Sequence, residues 1–253
     1  MLSGKRVCIF VDGENLRHSI GDLFPLFQKS KYLPETNWAS FFDWIAAEVV
    51  GPDVDRIRTY WYTVQNIDFY PFQLNSAKKK NNFNYLKNIL SRCDTCKKQI
   101  DEKTVPADRD DIIIKLTEKL LERQDEMQRR FDGWTNVQNI IARENNSVEF
   151  RRAGAIRYDL FEKKLGSEKA VDVKLATDLV KLKDIYDIAI IVSGDQDYSP
   201  AVDAVKDLGK RTVNVSFLTN TGRLLPGGAK RLNQATDWSL EIKYEDSKKY
   251  LNL

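Results

Sequence analysis

The sequence contains one histidine, three cysteines and no long apolar run. A lone histidine, His18, cannot readily support a histidine-based catalytic triad, so that class of hydrolase is disfavoured. An odd number of cysteines argues against a disulfide-bonded scaffold. No apolar run approaches the roughly 18–20 residues of a membrane-spanning helix, and the N-terminal stretch does not read as a signal peptide. We therefore predict an intracellular, cytoplasmic protein without a membrane partner.

Two nucleotide-binding fingerprints are missing as well, because the chain has neither GxGxxG nor GxxxxGK[ST]. Cys93 and Cys96 form an isolated CxxC. A structural zinc site needs four ligands, and Cys8 lies in a predicted buried strand, so too few ligands remain. The favoured interpretation is a reduced, solvent-exposed pair, since a redox motif would need a thioredoxin-like context that the sequence does not show.

The chain has 253 residues and a net charge of +3, which neither requires nor excludes a polyanionic partner. The basic residues are clustered, and the Lys78–Lys80 run is followed by Phe83 and Tyr85, a mixture of charge and aromatics typical of single-stranded nucleic-acid grooves. A solvated surface is the alternative for each residue. The residues that we predict to contact nucleic acid are Lys78, Lys79, Lys80, Arg151 and Arg152; Lys230 and Arg231 form a further basic pair.

Strand-like and helix-like segments alternate along the chain. Strands are predicted at Arg6–Val11, Arg56–Val64, Val148–Arg152, Ile188–Val192 and Arg211–Phe217. Helices are predicted at Asn37–Val49, Asp111–Glu122, about 124–144 with a break at Gly133, Val171–Lys183 and Ser199–Leu208. This alternation predicts an α/β fold with a central, mostly parallel sheet of about five strands.

We predict a single domain over residues 1–253, with a helical and basic insertion at about 65–146 that breaks the alternation of strands and helices. The segment LNQATDWSLEI near the C-terminus is predicted to be weakly helical. In sheets of this kind, ligands bind at the carboxyl ends of the strands.

Four acidic residues are expected at that edge of the sheet. Asp12 follows the first strand, Asp195 and Asp197 follow the strand Ile188–Val192, and Asp172 opens a helix. Each alone is explained by turn chemistry or helix capping. Together they would repel one another, which favours a bound Mg²⁺ or Mn²⁺ ion with oxygen ligands.

Two neighbouring residues have open interpretations. Asn15 orients a ligand or a water molecule, or else it caps the turn after Asp12. Asp178 lies six residues after Asp172 on a predicted helix and therefore points away from it. Helix packing or a surface network is the favoured role for Asp178, and support of the site is the alternative.

Three sequence blocks carry a resemblance to a known family. They are DGEN at 12–15, VDVKLATDL at 171–179, and VSGDQDYSP at 192–200 followed by VKDLGKRTVNV. In this order they resemble the NYN domain of LabA-like, PIN-like proteins, over about 6–64 and 147–240. The resemblance implies a three-layer α/β/α fold and a metal-dependent endoribonuclease that acts on RNA.

The resemblance also implies roles for individual residues. Asp12, Asp172, Asp195 and Asp197 would be the catalytic, metal-binding acids, and Asn15 the accompanying polar residue. The chain departs from the family pattern at Gln196, usually a small residue, and at Tyr198, usually Phe; neither change removes a carboxylate. The alternatives are an RNA-binding or scaffold module with little or no turnover, and a phosphatase or nucleotide-processing enzyme. Homo-oligomer formation is open.

Overall fold

The computed structural model describes residues 4–28 and 32–253, in which eight strands and eleven helices are formed. The strands are β1 (Arg6–Asp12), β2 (Asp55–Tyr70), β3 (Val148–Asp159), β4 (Lys164–Lys169), β5 (Ile188–Val192), β6 (Arg211–Leu218), β7 (Leu224–Leu225) and β8 (Trp238–Ile242). The helices are α1 (Gly13–Leu23), α2 (Pro25–Gln28), α3 (Trp38–Val50), α4 (Leu74–Lys79), α5 (Phe83–Leu90), α6 (Asp94–Asp101), α7 (Pro106–Glu144), α8 (Val171–Lys181), α9 (Ser199–Asp207), α10 (Ala229–Ala235) and α11 (Tyr244–Leu251).

The chain divides into two compact units. The first comprises Met1–Gln65, Trp134–Gly154 and Lys169–Leu253, and the second comprises Asn66–Gly133 and Ala155–Glu168. The second unit has its own core of buried aliphatic side chains, among them Leu86, Leu90 and Ile100. The sequence prediction of a single domain over 1–253 stays a prediction.

The sheet is mostly parallel, as predicted. The strands β2, β1, β5, β6 and β8 lie side by side in that order, and each neighbouring pair among them is parallel. β7 pairs antiparallel with the end of β6, and β3 and β4 extend the order beyond β2. The predicted number of about five strands is wrong, because the described residues form a sheet of eight. Of the added strands, β7 has only two residues and β4 is polar, so neither has the apolar signature of a buried strand.

Helices cover both faces of the sheet in the first unit. Along β1, Val7 and Ile9 pack with α1, α3 and α11, whereas Cys8 and Phe10 pack with α8, α9 and α10. Because successive side chains of a strand point to opposite faces, a strand covered on both sides is apolar throughout. The result is the predicted three-layer α/β/α arrangement.

Most elements of the first unit agree with the sequence pattern. β5 has the predicted bounds, and the Asn37 side chain caps α3 by accepting a hydrogen bond from the backbone N–H of Ser40 at 2.9 Å. The predicted break at Gly133 is wrong, because α7 runs without interruption over 39 residues. A glycine inside a helix costs only about 1 kcal/mol, and buried residues such as Phe131 and Ile141 flank it on either side.

The tail also differs from its prediction. Of the segment LNQATDWSLEI, only the part within α10 (Ala229–Ala235) is helical, and Trp238–Ile242 forms strand β8 on the edge of β6. The open edge of β6 offers hydrogen-bond partners to a neighbouring strand. This pairing outweighs the local helix propensity of the segment. Among the described residues, no helix combines the length and the apolar composition that crossing a membrane requires.

Candidate functional site

The site forms where β1 and β5 end side by side. The parallel pairing of Val11 with Val192 places Asp12, the last residue of β1, next to Ser193, which follows β5. Gly13 comes directly after Asp12, and a Cβ atom there would lie 2.4 Å from the backbone oxygen of Tyr62. Only glycine therefore lets α1 begin this close to β2.

The carboxylate of Asp12 is the centre of a hydrogen-bond network. Its Oδ1 accepts the backbone N–H of Asn15 at 3.1 Å. Its Oδ2 accepts the Asn15 side-chain amide at 2.6 Å, the Ser193 hydroxyl at 2.9 Å and the Tyr198 hydroxyl at 3.2 Å. All of these donors are neutral, and Asp12 is only 2% exposed. A carboxylate has about four acceptor positions, so Asp12 is nearly saturated by the protein itself.

Tyr198 links the two acids that the sequence analysis placed on different elements. Its hydroxyl lies 3.2 Å from Asp12 Oδ2 and 3.0 Å from Asp172 Oδ1. Asp172 is in the first turn of α8, and Tyr198 is fully buried. The hydroxyl has one proton, which it can donate to only one of the two carboxylates at a time. The other carboxylate then receives no hydrogen bond from Tyr198. The Tyr198 hydroxyl thus adds a direct connection between Asp12 and Asp172.

The pKa values of both acids are raised. For Asp12, burial is the main cause, and it outweighs the hydrogen bonds from Asn15 and Ser193, while the charge of Asp172 adds to the rise. For Asp172, burial again raises the pKa, the Tyr198 hydroxyl opposes it, and the charges of Asp195 and Asp197 raise it further. The acids are therefore close enough to repel one another.

Asp195 and Asp197 occupy the short turn after β5. Asp195 Oδ1 accepts the backbone N–H of Asp197 at 2.9 Å, and the Asp195 N–H donates to Ser193 Oγ at 3.1 Å. Asp197 is exposed, and Asp195 is half-buried. Asp195 thus performs the turn-capping role that the sequence analysis weighed against metal binding, and its second carboxylate oxygen is left for another partner.

The donor set fits Mg²⁺ or Mn²⁺ in chemistry. It consists of carboxylate oxygens, the ligands that these ions prefer. In the described part of the chain, no three acidic, histidine or cysteine side chains are already arranged as a metal-binding group. Among the described residues, Asp172 and Asp195 each use one carboxylate oxygen in the hydrogen bonds given above, and Asp197 is exposed, so these three acids could hold an ion.

Asn15 connects the two strand ends. Besides its two bonds to Asp12, its side-chain oxygen accepts the backbone N–H of Gly194 at 3.3 Å. Both interpretations of Asn15 from the sequence are therefore compatible with its position, since it caps the turn after Asp12 and lies within the acidic group.

A basic pair that the sequence analysis left without a role lies beside Asp195. A cavity of about 490 Å³ is lined by Gly194, Asp195, Gln196, Gly227, Gly228, Lys230 and Arg231. Arg231 Nη1 donates to Gln196 Oε1 at 2.5 Å. A Cβ atom on Gly228 would lie 2.3 Å from the Gly194 backbone oxygen, so the loop before α10 packs directly on the acidic turn. No local sequence pattern predicts this, because residues 194 and 230 are brought together only by the sheet.

Asp178 lies in a separate buried network. It is 1% exposed and accepts hydrogen bonds from the Tyr62 hydroxyl at 3.1 Å, Arg151 Nη1 at 2.5 Å and Lys174 Nζ at 2.9 Å. Burial raises the pKa of Asp178, but the hydrogen bonds from Lys174 and Arg151 outweigh it, so the pKa is lowered. This network fixes α8 against β2 and β3.

The predicted RNA-contacting residues differ in their surroundings. The Arg151 guanidinium also bonds Glu149 and lies 3.9 Å above the centre of the Tyr60 ring. Arg152 donates to Gln138 Oε1 at 3.1 Å and to Asn139 Oδ1 at 2.7 Å. In the second unit, Lys78 pairs with Glu118 at 3.4 Å, and Lys79 and Lys80 are exposed. Contact of these residues with RNA stays a prediction.

One comparison with known proteins, the match to a family model, agrees with the sequence resemblance. The family model of the NYN domain, a PIN-like, nuclease-related domain, matches residues 123–237. This range contains Asp172, Asp195 and Asp197, whereas Asp12 and Asn15 lie before it. Among curated proteins, no relative matches the chain. A crystal structure of a protein of unknown function, VPA0982 from Vibrio parahaemolyticus, is 14% identical over 96% of each chain, with a TM-score of 0.46.

Proposed function

From the NYN-domain match and the acidic group beside it, we propose that the chain is a metal-dependent endoribonuclease that hydrolyses phosphodiester bonds of RNA. The observation that carries the proposal is the position of Asp172. Its carboxylate shares the Tyr198 hydroxyl with Asp12, and burial together with the charges of Asp195 and Asp197 raises its pKa. NYN and PIN-like nucleases typically use divalent metals, and such an ion would offset this repulsion.

We assign some of these residues to support of the site and others to the reaction itself. Asp12 accepts hydrogen bonds from Asn15 and Ser193 and so holds the ends of β1 and β5 together. It is also within hydrogen-bond distance of the Tyr198 hydroxyl. When the Tyr198 hydroxyl donates to Asp172 Oδ1, the other Asp172 oxygen is left to face an ion or the attacking water. A bound Mg²⁺ or Mn²⁺ ion would supply a water of lowered pKa and stabilise charge on a phosphoryl oxygen.

Lys230 and Arg231 would hold the RNA backbone next to these acids. Phosphate groups are bound by lysine and arginine side chains and by backbone N–H groups in glycine-rich loops. The cavity beside Asp195 combines both features. A phosphate bound there would lie adjacent to the acidic turn.

The contribution of this basic pair has a measurable consequence. Replacing both Lys230 and Arg231 with alanine is expected to weaken binding of single-stranded RNA about tenfold at moderate salt. Each phosphate contact releases counterions from the RNA when it forms. The slope of log K against log salt should therefore become shallower by about 0.7 for each contact that the substitutions remove. Fluorescence anisotropy over a salt series measures both quantities.

The matched control is the double variant Lys248→Ala and Lys249→Ala on α11, which removes the same charge from exposed positions of the same unit. If both double variants lower the affinity equally, the effect is one of net charge, and the cavity is not the RNA-binding site.

The proposal is tested by incubating the full chain with single-stranded RNA, single-stranded DNA and duplexes, in Mg²⁺, Mn²⁺ or EDTA. We expect internal cleavage of RNA in the presence of a divalent ion and none in EDTA. Cleavage that persists in EDTA would overturn the proposed chemistry. Tight RNA binding without cleavage in either metal would favour the alternative of a binding or scaffold module.

A further inference from the structure

The second unit carries an aromatic ring that lies open to solvent. Phe72 lies between the end of β2 and the start of α4, and 46% of its side chain is exposed. Phe83 and Tyr85, the aromatic residues that the sequence analysis singled out, are instead half-buried and pack against the core of this unit. A single exposed apolar side chain is common on protein surfaces, so its surroundings decide whether it has a role.

The neighbouring residues hold Phe72 in a fixed position. The backbone oxygen of Tyr70 accepts the N–H of Leu160 at 2.8 Å, which ties this segment to the residue that follows β3. The Tyr70 ring packs edge-on against Phe72, with the ring centres 5.8 Å apart. On the other side of Phe72 in the chain, the side-chain oxygen of Gln73 accepts the Tyr85 hydroxyl. The exposed ring is therefore part of an anchored segment.

An arginine accompanies the exposed ring. The guanidinium carbon of Arg157 lies 5.2 Å from the centre of the Phe72 ring, which is within the range of a cation–π contact. Arg157 is itself exposed, so an aromatic ring and a planar cation are accessible together. Unpaired RNA bases stack on both kinds of group.

The three short helices that follow Phe72 are strongly basic. Residues 74–100, which contain α4, α5 and α6, include seven lysine and arginine residues but one acidic residue, Asp94. The exposed cations among them are Lys79, Lys80, Arg92, Lys97 and Lys98. α4 has six residues and spans about 9 Å along its axis, so Lys79 and Lys80 lie a short distance from Phe72. The charge of this segment complements that of a polyanion.

We propose that the second unit docks single-stranded RNA, with an unpaired base stacked on the Phe72–Arg157 pair and the neighbouring phosphates bound by Lys79 and Lys80. The inference rests on the proposed RNA substrate and adds where the strand is held. A single strand fits better than a duplex, because the bases of a duplex are stacked on one another and offer no face to a protein ring. It also fits better than an acidic polypeptide, whose carboxylates would pair with the lysines but leave the ring unused.

The test measures binding of a labelled single-stranded RNA to the full chain by fluorescence anisotropy in EDTA, where metal-dependent cleavage does not take place. Phe72→Leu keeps an apolar side chain but removes the ring, and it should weaken binding about tenfold without changing the salt slope. Phe72→Trp keeps an aromatic face and should bind at least as tightly as the native chain. Val105→Ala, at an apolar position of the same unit that is 50% exposed, is the control and should bind as the native chain does.

A second RNA, in which abasic units replace the bases, isolates the stacking contact because its phosphates are unchanged. The native chain should bind this RNA at least about tenfold more weakly, and Phe72→Leu should cause no further loss. The double variant Lys79→Ala and Lys80→Ala should weaken binding of both RNAs and make the salt slope shallower.

Three results would overturn the inference: native affinity in Phe72→Leu, an equal loss for both RNAs in that variant, or equal competition by duplex RNA or polyglutamate. The outcome is separate from that of the proposed function. A chain that cleaves RNA but binds it normally as Phe72→Leu contradicts only this docking of the strand. A chain that shows the expected losses of binding but cleaves no RNA contradicts only the nuclease activity.

Discussion

Replacing Asp172 with asparagine is expected to reduce RNA cleavage at least about 100-fold while leaving the fold intact. The substitution removes the charge that would hold a divalent ion but keeps the Oδ1 that accepts the Tyr198 hydroxyl. A 100-fold loss corresponds to about 2.7 kcal/mol of transition-state stabilisation, within the several kcal/mol that a bound ion supplies. Initial rates with a labelled single-stranded RNA, in Mg²⁺ and in Mn²⁺, measure the loss.

The same variant should unfold at an equal or higher temperature in EDTA. The pKa of Asp172 is raised in the folded chain, so its ionised form is disfavoured there, and this destabilising contribution is present once the pH exceeds the folded-state pKa. Removing the charge abolishes it. The difference in melting temperature from the native chain should therefore vanish at acidic pH, where the carboxyl is neutral.

Asp184→Asn is the matched control. It removes one carboxylate charge from an exposed position just before β5, whereas the acidic turn follows β5. Asp184→Asn should keep full activity. Equal losses in both variants, or an Asp172→Asn protein that cleaves at the native rate, would contradict the assignment of Asp172.

Replacing Asp178 with alanine should lower the free energy of unfolding by about 3 kcal/mol, near the lower end of the range for breaking a buried ion pair. The carboxylate is 1% exposed, and its removal leaves Arg151 without its buried partner while Lys174 and the Tyr62 hydroxyl each lose an acceptor. Equilibrium unfolding in urea, followed by circular dichroism, measures the change. Asp203→Ala, an exposed position on α9, is the control and should change stability by less than about 0.5 kcal/mol.

Acid should reduce the difference between the native chain and Asp178→Ala. Because the pKa of Asp178 is lowered in the folded chain, its stabilisation is present above the unfolded pKa of about 3.9 and is lost as the pH falls through the folded value. A loss below about 1 kcal/mol at neutral pH, or one that does not shrink in acid, would mean that the network contributes little.

The sequence predicted the elements whose pattern is local. The apolar run Ile188–Val192 predicts a strand covered on both faces, and Asn37 followed by helical spacing predicts a helix start. Asp12 and Asp195 could be placed at one edge because parallel strands end together. These inferences need no knowledge of distant contacts.

What the sequence did not predict depends on pairing between distant segments. Trp238–Ile242 is a strand because β6 offers an open edge, and Lys230 lies near Asp195 because α10 packs beside the turn after β5. Asp12 was expected as a free ligand, yet Ser193 and Tyr198, both about 180 residues away, occupy its oxygens. Side-chain saturation of this kind has no local signature.

The place of β1 in the sheet also bears on synthesis of the protein. β1 is made first, yet it lies between β2 and β5, and its pairing with β5 joins residues about 181 positions apart. Pairing over such separations is slow, because loop closure precedes the gain in contacts. A nascent chain that has not yet reached Asp195 lacks the acidic turn and one of the two neighbours of β1. The acidic site is thus assembled only after β5 has been synthesised, and until then one edge of the apolar strand β1 stays without its partner.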